Sequence, residues 1–235
     1  LKTLETVTLT GADDSVSPHQ LRELSEEFPF VEWGILIGSD SGHHRFPSLP
    51  WIANLIGERE KTNNTMKISL HICGRYLREI ASGQSDLMRL LGPGLCAFSR
   101  CQLNWHAERQ GQIAENILAA FCHLSPWEPT IIFQMDGVNG DLASGCIRRF
   151  RCAGLFDRSH GAGVKPDLWP LALTYMQSGW AGGLGPDNVA EESPKIAEVA
   201  NQPFWIDMET KLFTGQRFDL DKCRCVLEAM APHVK

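Results

Sequence analysis

Eight short apolar and β-branched runs, helix-like stripes in the intervals between them, and a length of 235 residues predict an α/β chain folded as a single (β/α)8 TIM barrel domain over residues 1–235. Strands that alternate with helices imply a parallel sheet, and the length is near the ~250 residues typical of this barrel. The runs are 5–10, 31–37, 66–72, 98–105, 129–135, 152–156, 179–181 and 204–206. Most are apolar throughout rather than alternating, as strands covered on both faces are. A doubly wound open sheet is the structural alternative. It usually needs fewer strands and often opens on a Gly-rich phosphate loop, which Gly11-Ala12-Asp13 is not.

The intervals read as helices in turn. Ser17-Pro18 supplies an N-cap and a first-turn proline ahead of Leu21, Leu24 and Phe28. Ser48 precedes Leu49, Ile52, Leu55 and Ile56 on one face, and Leu77, Ile80 and Ala81 follow Gly74. Ile113, Ile117 and Phe121 mark a fourth stripe, and 139–149 is a short, glycine-bearing fifth. Trp169, Leu173 and Met176 mark a sixth. Pro194 threatens to split the helix after Gly185 into two pieces. Asp219 caps a last helix with Cys223, Val226, Leu227 and Met230 inward.

Composition narrows the function classes. The chain carries 22 Lys+Arg against 28 Asp+Glu, a net charge of −6, which offers neither a nucleic-acid footprint nor attraction to an anionic membrane. No apolar run approaches the ~20 residues that span a bilayer. The first eleven residues have no secretory pattern, although Leu1 in place of Met reads as a trimmed start. Eight cysteines lie within apolar segments of a chain long enough to bury a large core, so they read as reduced, mostly buried thiols of a cytoplasmic protein. A monomer or homodimer is expected.

In such a barrel, chemistry sits at the C-terminal ends of the strands. That rule selects Thr10, Asp40, Arg45, His71, Gln102, Asn104, Asp136, Asp157, Gly182, Gly183, Asp207 and Lys211. The sharpest local signal is Ala181-Gly182-Gly183-Leu184-Gly185-Pro186-Asp187-Asn188-Val189, where two glycines end the seventh strand and Pro186 then starts a helix. Glycines admit a phosphate to the backbone N–H groups and a helix N-terminus favours it; a tight strand-to-helix turn needs glycine as well. Asp157, leaving an apolar strand at the mouth, is either a partly desolvated general acid or a cap for the loop beyond. Arg45 is either a bidentate anion contact or a solvated loop arginine.

His71 suits a neutral hydrogen bond to substrate. With Cys73, His43 and His44 nearby a zinc site is conceivable, but the spacing is not that of a zinc motif, and Cys223 and Cys225 do not share a helix face. No metal is expected. Lys211 pairs a phosphate, forms a Schiff base, or stays a surface lysine.

The run Leu155-Phe156-Asp157, the Gly161-Ala162-Gly163 loop, Asp167-Leu168-Trp169, the glycine turn from Ala181 to Val189, and Ile206-Asp207 together resemble phosphoribosylanthranilate isomerases. The match covers about 155–215; in the first half Val7-Thr8-Leu9-Thr10-Gly11, Arg45-Phe46-Pro47-Ser48 and Gln102-Leu103 are scattered pieces of it. The resemblance implies an Amadori-type aldose-to-ketose isomerisation without metal or organic cofactor. By it Asp157 is the acid, Arg45 contacts substrate, and Gly182 and Gly183 hold phosphate, with Gly161, Gly163 and Gln102 as further substrate- or phosphate-binding positions. The chain departs from the family where its catalytic base, a cysteine, is replaced by Thr10, and where its second anion turn is replaced by Glu209-Thr210-Lys211-Leu212-Phe213. A neutral hydroxyl is a poor base beside a tunable thiol, and Glu209 opposes an anion.

The expectation is therefore a divergent, isomerase-like enzyme for a small phosphorylated, sugar-like substrate, not the tryptophan-pathway enzyme itself. Asp157 is the acid/base, with Asp207, His71 or Asp136 in place of the thiol, and Arg45 or Lys211 assists the anion. A lyase or aldolase acting through Lys211 and a non-catalytic anion-binding barrel are the alternatives.

Overall fold

All eight runs form strands, and the strands close into a ring. The computed structural model describes residues 3–38, 42, 44–81, 91–105, 127–135, 139–146, 150–157 and 162–234. The order is β1 (Leu4–Thr10), α1 (Pro18–Glu27), β2 (Val31–Ile37), α2 (Leu49–Lys61), β3 (Lys67–Ile72), α3 (Gly74–Ala81), β4 (Arg100–Leu103), β5 (Thr130–Gln134), α4 (Asn139–Cys146), β6 (Cys152–Phe156), β7 (Gln177–Trp180), α5 (Val189–Val199), β8 (Phe204–Met208) and α6 (Leu220–Met230). A small hairpin, β9 (Phe213–Thr214) and β10 (Arg217–Phe218), follows β8. Neighbouring strands pair in parallel in chain order, and β8 pairs back onto β1.

The expected caps start the helices. Ser17 Oγ accepts from His19 N–H while Gln20 Oε1 accepts from Ser17 N–H, a reciprocal capping box. Ser48 Oγ accepts from Trp51 N–H at 3.4 Å, and Asp219 Oδ1 accepts from Asp221 and Lys222 N–H. The stripe 113–121 lies outside the described residues. Pro194 does not divide α5, which runs unbroken from Val189 to Val199.

Three expectations are corrected. The stripe Trp169, Leu173, Met176 is not a helix: 162–176 is irregular backbone. Pro166 and Pro170 remove two N–H donors a helix would need, and tertiary bonds claim the segment instead. Trp169 Nε1 donates to Glu192 Oε2, Trp180 Nε1 donates to the Pro170 carbonyl, and Leu173 N–H donates to Ser178 Oγ. The same bond admits polar Ser178 to the sheet, so β7 starts at Gln177, earlier than its apolar pattern suggests. Finally, Pro186 does not begin α5; residues 186–188 are a turn and the helix starts at Val189. Cys73, Cys96, Cys101, Cys152, Cys223 and Cys225 are free thiols, and Cys96 and Cys225 are exposed rather than buried.

The outer core lies between ring and helices, with Leu9, Trp33, Ile35, Ile68, Leu70, Ile206 and Leu227 all essentially inaccessible. A second apolar cluster, Ile132, Ala153, Leu155, Ala181 and Trp205, fills one side of the barrel interior. The other side is polar. Thr8 donates to Glu32, Glu32 faces Arg100 at 3.6 Å, and the Arg100 guanidinium lies 4.2 Å from the centre of the Trp205 ring. No helix among the described residues is long and apolar enough to cross a membrane.

Candidate functional site

A cavity of about 420 Å³ opens at the C-terminal rim of the ring. Its lining brings together Thr10, Arg45, His71, Gln102, Asn104, Asp157, Gly163, Gly182, Gly183, Asp207 and Lys211, all of them singled out from the sequence. Gly161, Asp40, His43 and Asp136 lie outside the described residues.

The floor is built by strand periodicity. Side chains two apart on a strand share a face, so Thr8 and Thr10 on β1, Ser69 and His71 on β3, and Trp205 and Asp207 on β8 stack inward. Thr10 Oγ1 donates to Asp207 Oδ1 at 2.8 Å. Gly34 on β2 leaves room for this: a Cβ there would lie 2.2 Å from Thr10 Oγ1 and 3.0 Å from His71 Nε2. Burial pushes the Asp207 carboxyl well above its ordinary value, and the Thr10 hydrogen bond opposes that rise only in part. His71 is held neutral, its pKa brought down to about 3 by burial first and by the positive Arg100 second. Its Nε2 shares a hydrogen bond with Ser69 Oγ at 2.7 Å. A base so weak is suited to hold a hydrogen bond rather than to take a proton at neutral pH.

The rim carries the charges. Arg45 Nη1 lies 2.8 Å from Glu209 Oε1. Arg45 has φ +63°, a conformation side-chain-bearing residues avoid at a cost of about 1–2 kcal/mol; its N–H donates to Asp13 Oδ2 at 2.6 Å, which holds it there. Glu209 is raised above the ordinary carboxylate range by burial; Arg45 opposes the rise and Asp157 adds to it. Glu209 is thus a site residue that its repulsion of anions had set aside. It sits two residues after Asp207, so the period-two face of β8 already pointed to it. Gln134 and Cys73, also in the lining, follow the same rule on β5 and β3. The Cys73 thiol is pushed up to about 12 by burial, so it is no ready replacement for a thiolate base.

The glycine turn lies beside the acid. Gly182 and Gly183 have φ +111° and +63°, which glycine alone adopts freely. A Cβ on Gly182 would lie 3.5 Å from Asp157 Oδ1, and one on Gly183 only 2.5 Å from the Lys165 nitrogen. The turn therefore needs glycine for packing under 163–165 as well as for access from the cavity. Asn188 ties it, accepting from Gly185 N–H at 3.0 Å and donating to the Gly183 carbonyl at 2.9 Å. Lys211 lays its stem across Gly185 and its ammonium donates to Asp187 at 3.2 Å. Among the described residues no three His, Cys, Asp or Glu side chains gather as metal ligands do.

No family model matches the chain, and no curated protein matches its sequence. Among solved structures it is similar to phosphoribosylanthranilate isomerase from Thermotoga maritima, at 13% identity and a TM-score of 0.57, covering 97% of this chain and 99% of that one. It is also similar to a truncated 3-deoxy-D-arabino-heptulosonate 7-phosphate synthase from the same organism, at 10% identity and 0.60, covering 98% and 86%. A GH18 chitinase from Pseudoalteromonas aurantia follows, at 12% identity and 0.57, covering 98% and 100%. At such identities the likeness is one of fold. The relation to the isomerase family is supported at that level, and three different reactions on one architecture leave the choice of chemistry to the site.

Proposed function

We propose that the chain is an enzyme that isomerises a small phosphorylated, sugar-like substrate by acid–base proton transfer. The observation that carries this reading is the placement of Asp157 beside the Gly182-Gly183 turn in the same cavity as the Thr10–Asp207 pair. In this reading the turn and Lys211 hold the anion, and the reacting carbons lie over the floor. Asp157 takes the proton from C2 of an open-chain aldose while Asp207, whose burial favours its protonated form, protonates O1, giving an enediol; burial thus gives Asp207 the acid's part that the resemblance implies for Asp157. Asp207 then recovers a proton from O2 and Asp157 returns its proton to C1, giving the ketose. His71 stays neutral and holds a substrate hydroxyl. Arg45 neutralises Glu209 and keeps the rim from repelling the phosphate. The pairing of Lys211 with Asp187, past the end of β8, favours an electrostatic role over a Schiff base.

The test is exchange of the C2 hydrogen of aldose 5- and 6-phosphates in D2O, followed by proton NMR. The wild type is expected to exchange at least one of them, and Asp157→Asn to slow that exchange by about 100-fold or more while binding inorganic phosphate as before. Full exchange in Asp157→Asn overturns the proton-transfer role of Asp157; no exchange with any sugar phosphate favours the non-catalytic, anion-binding barrel.

A further inference from the structure

One wall of the cavity is a row of carboxamides. Gln102 on β4 and Gln134 on β5 both donate from Nε2 to a single acceptor, Asn104 Oδ1, at 2.7 and 3.2 Å. Asn104 Nδ2 donates onward to Cys73 Sγ at 2.9 Å. Register brings the three together: Asn104 lies two residues past Gln102 on the same face, and Leu103 pairs with Phe133, which sets Gln134 beside Asn104. The sharing leaves two acceptors unused. Gln102 Oε1 and Gln134 Oε1 are sealed from solvent and have no hydrogen-bond partner among the described residues, on side chains of residues only 4% and 6% exposed.

Buried carboxamide oxygens are nearly always paired, so two orphans side by side in a cavity wall mark a place for donors from outside the chain. The last torsion of glutamine is broad, and either carbonyl can turn toward an entering donor. The charge around them selects the donor. Arg100, next below Gln102 on the inner face of β4, acts on the adjacent His71 with its positive field and disfavours a cation here. An anion would meet carbonyl oxygens. A hydroxyl fits both demands, because it gives its proton to Oε1 and accepts the Nε2 proton that Asn104 does not use.

The geometry points to a subsite at the β4–β5 wall for two neutral hydroxyl groups of the substrate, one on each glutamine carbonyl. This rests on the proposed role of the cavity and specifies the part of the substrate that faces away from the glycine turn: a polyol segment rather than an apolar ring or chain.

The test uses the intact 15N-labelled protein, with the side-chain amide signals of Gln102 and Gln134 as readout and ribitol, 1-pentanol, acetamide and inorganic phosphate as separate probes. Ribitol is expected to shift both signals saturably, and 1-pentanol and acetamide to leave them in place. Gln134→Met is expected to weaken ribitol about tenfold, the loss of a neutral hydrogen bond, with inorganic phosphate binding unchanged; Gln102→Met serves in the same way if the first variant does not fold. A ribitol response no greater than that of 1-pentanol, a response to acetamide alone, or an unchanged ribitol affinity in the variant overturns the subsite. Phosphate binding reads the glycine turn separately. Its absence alongside a ribitol response removes the anion site and leaves the hydroxyl subsite standing.

Discussion

The two sides of the barrel interior are built from different chemistry. Below the cavity, the inner face from β5 to β7 is Ile132, Ala153, Leu155 and Ala181, packed against Trp205. From β8 through β1 to β4 it is Asp207, Thr8, Thr10, Glu32, Ser69, His71, Arg100 and Gln102, linked by hydrogen bonds and an ion pair. The apolar side is held by shape, the polar side by pairing. A polar interior is costly unless every member finds a partner. Here it lies directly under the cavity, so that cost supports the groups aimed at a substrate.

The contrast breaks most visibly where a pair is cut. Arg100→Met would leave Glu32, 1% exposed, with Thr8 as its hydrogen-bond partner and without the guanidinium that faces it. The expected loss is about 3–5 kcal/mol in urea unfolding, with most of it recovered when Glu32→Met is added, since a buried pair replaced by apolar residues is close to neutral. A single-variant loss below about 1 kcal/mol would show that the pair is solvated and the two sides are not so different.

On the apolar side the matching change is steric. A Cβ at Gly179 would lie 2.1 Å from the Trp205 ring, which is 1% exposed. Gly179→Ala is expected to cost about 1–3 kcal/mol, as overpacked cores do. Gly34→Ala meets the Thr10 hydroxyl at 2.2 Å and the His71 ring at 2.9 Å, both smaller side chains than Trp205, and should cost less stability, while breaking the Thr10–Asp207 bond and with it the proposed C2 exchange. Equal stability losses in the two variants would contradict the distinction.

The smallest effect is the pH dependence of stability, to which the polar side contributes with both signs. Asp207 binds its proton more tightly folded than unfolded. Above the ordinary value of 3.8 the native state therefore holds the extra proton, and stability falls as pH rises toward the raised folded value. His71 binds its proton less tightly folded. Between about pH 3 and its ordinary 6.5 the unfolded chain holds the extra proton, so stability rises with pH over that window. Urea midpoints measured across this range should lose the falling contribution in Asp207→Asn and the rising one in His71→Gln. Wild-type slopes in both variants would mean that neither group titrates as its burial demands.

Much of this was legible in the chain. The eight apolar runs, the Ser17, Ser48 and Asp219 caps, and the rule that chemistry gathers at strand ends predicted the ring and most of the cavity lining. The reading failed where partners distant in sequence outweighed local pattern. Trp169, Leu173 and Met176 have helical spacing, yet Glu192 and Ser178 hold that segment irregular. Glu209 looked like an obstacle to an anion until Arg45, more than 160 positions earlier, was found against it. Gln134 had no signal of its own beyond its place on an inward face.

Sequence alone therefore determined which residues face the barrel interior and which strand ends carry polar groups, because strand period and hydrophobic burial act over a few neighbouring positions. Only the tertiary structure decided how those groups pair: Thr10 with Asp207, Arg45 with Glu209, and two glutamines on one asparagine. Charge state and hydrogen-bond partnership depend on what lies within a few ångströms in space, and closing the ring sets those distances.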